Sequence, residues 1–240
     1  MSQKNNYPIR CPKCRQEQDA ELFDSVNVTE EPALREALMA NQLNAVTCSA
    51  CEFIFQIHKP LLYHDAKRKF MIYWLPVPAG AEEAGERQVA AMLQQLAAQQ
   101  PEGVALPPVH LVFSRTDLIE RIFLLEAKLD ERLIEYVKHL MYLNNIGKLN
   151  PAQKALLFNV QDSTPEMLCF VVQDLATRKM EAVLNYSVQA YKALAEMFRA
   201  EEKMQMLREL FPGPHISARA LLVQQPDREL ATDEDDEDAE

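Results

Sequence analysis

Residues 6–23 read NYPIRCPKCRQEQDAELF, with Cys11-x2-Cys14 at the centre. Two cysteines at that spacing can close a tight knuckle with both sulfurs on one side of a turn, or they can form a redox dithiol. A redox pair needs its first cysteine at a helix N-terminus, where the helix dipole lowers the thiol pKa. Here the chain after Cys14 runs through polar residues into a strand-like segment, ELFDSVNV (21–28). The reading of this pair therefore decides the architecture of the N-terminal part.

A second pair, Cys48-x2-Cys51, follows after a gap of 33 residues. Two facing knuckles supply four soft ligands in a tetrahedron, a set that suits zinc. Four protein ligands leave no open coordination position, so such a site is structural rather than catalytic. The expectation is one structural Zn2+ bound by Cys11, Cys14, Cys48 and Cys51. Its binding would be coupled to folding and contribute roughly 10 kcal/mol or more. An iron–sulfur centre also uses four thiolates, and a thiol redox protein or redox-sensing zinc switch is a further reading. The gap exceeds the about 15–20 residues between the knuckles of a common zinc ribbon. A helix-like insertion, EPALREALMANQLN (31–44) with Pro32 in its first turn, fills the excess, and a longer closed loop costs little extra entropy.

Outward from the knuckles, VTCSACEFIFQIHKPLLYHD (46–65) and KFMIYWLPV (69–77) read as two β-rich runs joined by a charged turn. Pro60 inside the first suggests an edge or a bulge. EEAGERQVAAMLQQLAAQQ (82–100) is a helix with Val89, Met92, Leu93 and Leu96 in one stripe, ended by PEGVALPP, and VHLVF (109–113) is a short strand. Residues 114–144 predict one amphipathic helix, with Ser114 and Asp117 at capping-box spacing and Leu118, Ile122, Leu125, Leu129, Leu133, Val137, Leu140 and Met141 on its apolar stripe. ALLFNVQDSTPEMLCFVVQD (155–174) reads as a β-hairpin with Cys169 inert inside a strand, and residues 181–211 return to helix.

The expected fold is α+β. A zinc-ribbon-like β-rich core of antiparallel strands (8–78) leads through a helical connector (79–108) to a strand and amphipathic helix (109–140). A region of β-hairpin plus helix (141–225) and a disordered acidic tail (226–240) follow.

The two knuckles, together with DSVNVTEEPALREALMANQLNAVTCSAC (24–51) and PLLYHDAKRKFMIYWLP (60–76), resemble the CpXC domain family of bacteria and archaea. The family takes its name from two Cys-Pro-x-Cys motifs, and the resemblance covers residues 8–140. It implies metal binding through Cys11, Cys14, Cys48 and Cys51, and it implies no activity, because the family is functionally uncharacterised. The second knuckle, CSAC, departs from the pattern: Ser49 stands where the motif has proline.

Composition narrows the function further. The 240 residues are 48% hydrophobic and 25% charged, ordinary for a chain with a buried core. Five glycines against 14 prolines leave no phosphate-cradling loop, and no G-x-S-x-G or H-E-x-x-H motif occurs. The five histidines are scattered. The polar N-terminus has no signal-peptide core, and no apolar run is long enough to span a bilayer. The expected location is the cytoplasm, without a membrane partner, where paired cysteines serve as ligands or redox groups. Of the net charge of −11, nine carboxylates and one arginine between Asp227 and Glu240 carry −8.

These features point first to a non-enzymatic binding or scaffold protein with a protein partner. A nucleic-acid module ranks behind it. Tyr63 would stack on a base, and Lys67, Arg68 and Lys69 would meet phosphate. Residues 1–78 hold nine basic and nine acidic residues, which is not the basic balance of a dedicated nucleic-acid domain.

Overall fold

A computed structural model of the chain describes residues 1–78, 80–99 and 108–224. The acidic tail and the PEGVALPP segment lie outside the described residues, except for Pro108. The architecture is α+β, with two compact units and seven helices among the described residues. No described helix is long and apolar enough to cross a membrane.

The first unit comprises Met1–Ala127 with Gly213–His215. Its main sheet has five strands: β1 (Gln3–Arg10), β2 (Glu17–Asn27), β5 (Leu61–Asp65), β6 (Phe70–Trp74) and β7 (Val109–Val112), in the order β1-β2-β5-β6-β7. Between β2 and β5 the chain forms α1 (Pro32–Met39) and a separate two-stranded ribbon, β3 (Ala45–Thr47) with β4 (Ile54–Gln56). The sheet is mixed: β1–β2 and β5–β6 are antiparallel, whereas β2–β5 and β6–β7 are parallel. Parallel neighbours need crossover connections. Here α1 with the ribbon supplies one, and the segment carrying α2 (Glu82–Ala98) supplies the other.

Alternation sets the core. Leu61, Tyr63, Phe70, Ile72 and Trp74 are buried, while the residues between them are half-buried. They pack with Val26, Leu38, Leu43, Leu118 and Ile122 from β2, the α1 segment and α3 (Arg115–Glu126). Burying each large side chain contributes about 1.5–3 kcal/mol.

The second unit comprises Lys128–Pro212 and the described residues from Ile216. It holds α4 (Glu131–Leu143), an antiparallel sheet of β8 (Lys154–Asn159), β9 (Met167–Asp174) and β10 (Met180–Ser187), and then α5 (Val188–Met197), α6 (Glu201–Leu210) and α7 (Ala218–Gln224). Leu133, Phe198, Leu207, Phe211 and Ile216 form its apolar centre.

Four expectations change. The single helix 114–144 is two helices, α3 and α4. Lys128 takes a left-handed φ of 58°, and Asp130 starts α4 by accepting a hydrogen bond from the Leu133 N–H at 3.0 Å. The Ser114 cap of α3 forms as expected, accepting from the Asp117 N–H at 3.1 Å. The 155–174 hairpin gains a third strand, β10, where a helix was expected from residue 181. Pro60 marks no edge. It immediately precedes β5, the central strand, and separates it from the ribbon. The strand β1 was not expected at all. It is an edge strand, which tolerates Pro8 because an outer position needs no N–H for the ladder.

Candidate metal centre

The four cysteines sit at the tips of two hairpins. Cys11 and Cys14 lie in the turn joining β1 to β2, and Cys48 and Cys51 in the turn joining β3 to β4. The turns repeat each other bond for bond. In the first, the Cys11 N–H donates to the Gln16 carbonyl at 2.9 Å and the Arg15 N–H donates to the Cys11 carbonyl at 2.9 Å. In the second, the Cys48 N–H donates to the Phe53 carbonyl at 2.9 Å and the Glu52 N–H to the Cys48 carbonyl at 3.0 Å. The residue after each second cysteine is left-handed, Arg15 at φ 64° and Glu52 at φ 56°. A side chain other than glycine there costs about 1–2 kcal/mol, so both turns are held against a local preference.

The result is a cluster. All four sulfurs lie within 4.8 Å of one another. Cys11 Sγ is 3.7 Å from Cys51 Sγ, and Cys14 Sγ is 3.5 Å from Cys48 Sγ. A disulfide would place sulfurs about 2.05 Å apart, and all five cysteines are free. Four thiolates each about 2.3 Å from one ion stand about 3.8 Å from one another, which both cross-knuckle distances approach. The donor set and its spacing therefore fit a tetrahedral metal. The first cysteine of each knuckle is buried, while Cys14 is exposed and Cys51 half-buried.

The thiols do not ionise alike. The backbone N–H groups of Ala50 and Cys51 point at Cys48 and outweigh its burial, which brings its pKa down to about 6. At Cys51 the Phe53 N–H works downward, but burial and the three neighbouring sulfurs outweigh it and push the thiol up to about 12. Sulfurs this close repel one another as thiolates, and a divalent cation between them removes that penalty.

Three side chains absent from the sequence reading lock the ribbon onto the sheet. Gln18 of β2 accepts at Oε1 from both the N–H and the hydroxyl of Ser49, and its amide donates to the Thr47 carbonyl at 3.1 Å. Asn44 behaves as an extra strand residue beside β2: it accepts from the Phe23 N–H at 2.7 Å and donates to the Phe23 carbonyl at 3.1 Å. Its left-handed φ of 58° suits asparagine. Lys13 of the first knuckle lies over the Phe53 ring, 5.7 Å from its centroid.

At the 63–69 hairpin tip Lys67, Arg68 and Lys69 are exposed, but Tyr63 offers no face on which a base could stack. Tyr63 is 0% exposed. Arg68 is paired at 2.6 Å with Asp65, which is buried and also accepts from the Thr29 hydroxyl and the Arg68 N–H. No histidine joins the sulfurs, and the four cysteines are the only metal-capable group of His, Cys, Asp and Glu among the described residues. Cys169 is buried in β9, with burial as the main cause raising its thiol pKa.

The family model described as CpXC protein matches residues 9–138, more than half of the chain, and the chain belongs to that family. No curated protein matches, and no solved structure matches.

Proposed function

We propose, from CpXC family membership and the matching hydrogen bonds of the two knuckles, that Cys11, Cys14, Cys48 and Cys51 bind one structural zinc ion in a non-enzymatic binding protein. The observation that carries this reading is the meeting of four sulfurs within 4.8 Å of one another on two hairpins with the same hydrogen-bond pattern. All four ligands come from the protein, which leaves no position for a substrate or a reactive water. In a reducing cytoplasm the thiols persist as ligands. The ion would tie the β3–β4 ribbon to β1–β2 and hold its outer residues rigid. Phe53 and Ile54, 41% and 66% exposed next to Cys51, give that ribbon an apolar tip suited to a protein partner.

The test combines metal removal with partner capture. Chelation should lower the thermal stability of the first unit and abolish capture of a specific partner, and Ile54→Ser should abolish capture while leaving the metal in place. Capture that survives both changes would refute the binding surface. A fold indifferent to chelation would refute the structural role of the metal.

A second reading, a redox-sensing zinc switch, draws on one observation: exposed Cys14 lies 3.5 Å from Cys48. A peroxide would oxidise that pair to a disulfide, be reduced to water with two protons taken up, and release the ion. Zinc release at a stoichiometric peroxide dose supports the switch, and metal-protected, inert thiols exclude it.

A further inference from the structure

Every sheet in this chain has edges, and an unpaired edge is a template for another strand. The described residues show how nearly all of them are closed. On β1, Pro8 lacks an N–H, and Lys4 and Arg10 add charge. On β7, the Leu111 N–H donates to the Pro214 carbonyl at 3.2 Å. The ribbon strands are three residues each, and Gln18 occupies the Thr47 carbonyl of β3. On β8, the Tyr142 hydroxyl accepts from the Leu156 N–H and donates to the Lys154 carbonyl, both at 3.1 Å.

The strand β10 is the exception. It is eight residues long, MEAVLNYS, with neither proline nor lysine. It pairs with β9 on one side. On the other side no backbone or side-chain group among the described residues bonds to its main chain. Its exposed side chains include two large apolar ones, Met180 at 59% and Val183 at 56%, beside Ala182, Asn185 and Glu181. Its single charge, Glu181, is held at 2.6 Å by Lys154, which also bonds Asp174 at 2.8 Å.

We propose that β10 pairs antiparallel with β10 of a second copy of this chain, joining two three-stranded sheets into one of six. The strand carries one carboxylate, which a two-fold pairing keeps away from its own copy, and the arrangement closes after two copies, leaving as outer edges the β8 strands that Tyr142 already meets. A two-fold axis normal to the sheet keeps each side chain on its own face, so it must pass through a residue position. With the axis at Leu184, Val183 faces Asn185 and Glu181 faces Ser187 of the second copy. With the axis at Val183, Glu181 faces Asn185. In neither register does the carboxylate meet its own copy. The register shift near Met180 and Ala182 bends the start of the strand, which confines the ladder to the stretch from Ala182 onward.

Sedimentation of the full chain tests this. The 27.5 kDa monomer mass should double with rising concentration, and the β10 amides should become protected from hydrogen exchange in step with it. Val183→Lys changes an exposed position and should leave the fold intact, yet it sets two ammonium groups directly or diagonally opposite each other. It should be monomeric. Val183→Glu should be monomeric too, and an equimolar mixture of the two variants should recover the dimer. A wild-type chain that stays monomeric at its highest soluble concentration overturns the proposal and leaves the edge to a strand from another protein. A Val183→Lys chain that remains dimeric overturns it as well, because the contact then lies elsewhere.

Discussion

Gln18 Oε1 accepts two hydrogen bonds from Ser49, one from its backbone N–H at 2.8 Å and one from its hydroxyl at 3.0 Å. Ser49 is the one position at which this chain departs from the Cys-Pro-x-Cys pattern. A proline there would remove the N–H and the hydroxyl together. Pro12, the matching residue of the first knuckle, has neither N–H nor hydroxyl to donate, and its turn closes through the Cys11 N–H on the Gln16 carbonyl and the Arg15 N–H on the Cys11 carbonyl.

Ser49→Pro should therefore destabilise the metal-loaded protein by about 1–2 kcal/mol, the loss of two hydrogen bonds. Gln18→Ala should cost a similar amount. The double variant should cost clearly less than the sum, because both changes break the same contact. Urea denaturation of the four proteins measures the coupling.

The left-handed residues give a change in the opposite direction. Arg15 and Glu52 occupy positive φ without glycine's freedom. Glu52→Gly should stabilise the fold by about 0.5–1 kcal/mol, the strain relieved less the entropy glycine loses on folding. Glu52→Val should destabilise it. Thermal melts of the loaded protein decide the sign.

Asp65 supplies the pH dependence. Burial works to raise its pKa, but the Arg68 N–H, the Arg68 guanidinium and the Thr29 hydroxyl outweigh burial and hold it below the ordinary value. The folded carboxyl thus takes up its proton at lower pH than the unfolded one. Its contribution is complete above about pH 4 and is lost as pH falls through the depressed value. Asp65→Asn should lower stability at neutral pH by about 2 kcal/mol and flatten this part of the acid limb. Denaturation midpoints of both proteins across the acid range test it.

The cysteines divide four to one. Ser substitution of Cys11, Cys14, Cys48 or Cys51 should each abolish stoichiometric metal, whereas Cys169→Ala should leave it unchanged. Cys169 lies in β9 of the second unit and is no part of the sulfur cluster. Metal content per chain after gel filtration is the readout.

The knuckles were legible because ligand spacing is a local property: a C-x2-C turn needs only its own four residues and those that close it. The core strands were legible for the same reason, since alternation in FMIYW and LLYHD reflects one buried face. What escaped depends on partners distant in sequence. The strand β1 is polar and largely exposed, so no apolar period announces it. In β10, Met, Glu, Ala and Leu favour helix, and pairing with β9 overrides that preference. The break between α3 and α4 rests on a left-handed lysine, which has no sequence signature, and on the Asp130 cap that follows it. The clamp from Gln18 to Ser49 joins residues 31 positions apart, and no local pattern could have suggested it.

The account stands on a metal tying two hairpins together. Elemental analysis of the full chain, purified without added metal and weighed by native mass spectrometry, tests that most directly. The prediction is one zinc ion per chain with all four cluster thiols unoxidised. A folded chain that carries no metal, or iron with inorganic sulfide in place of zinc, would contradict it.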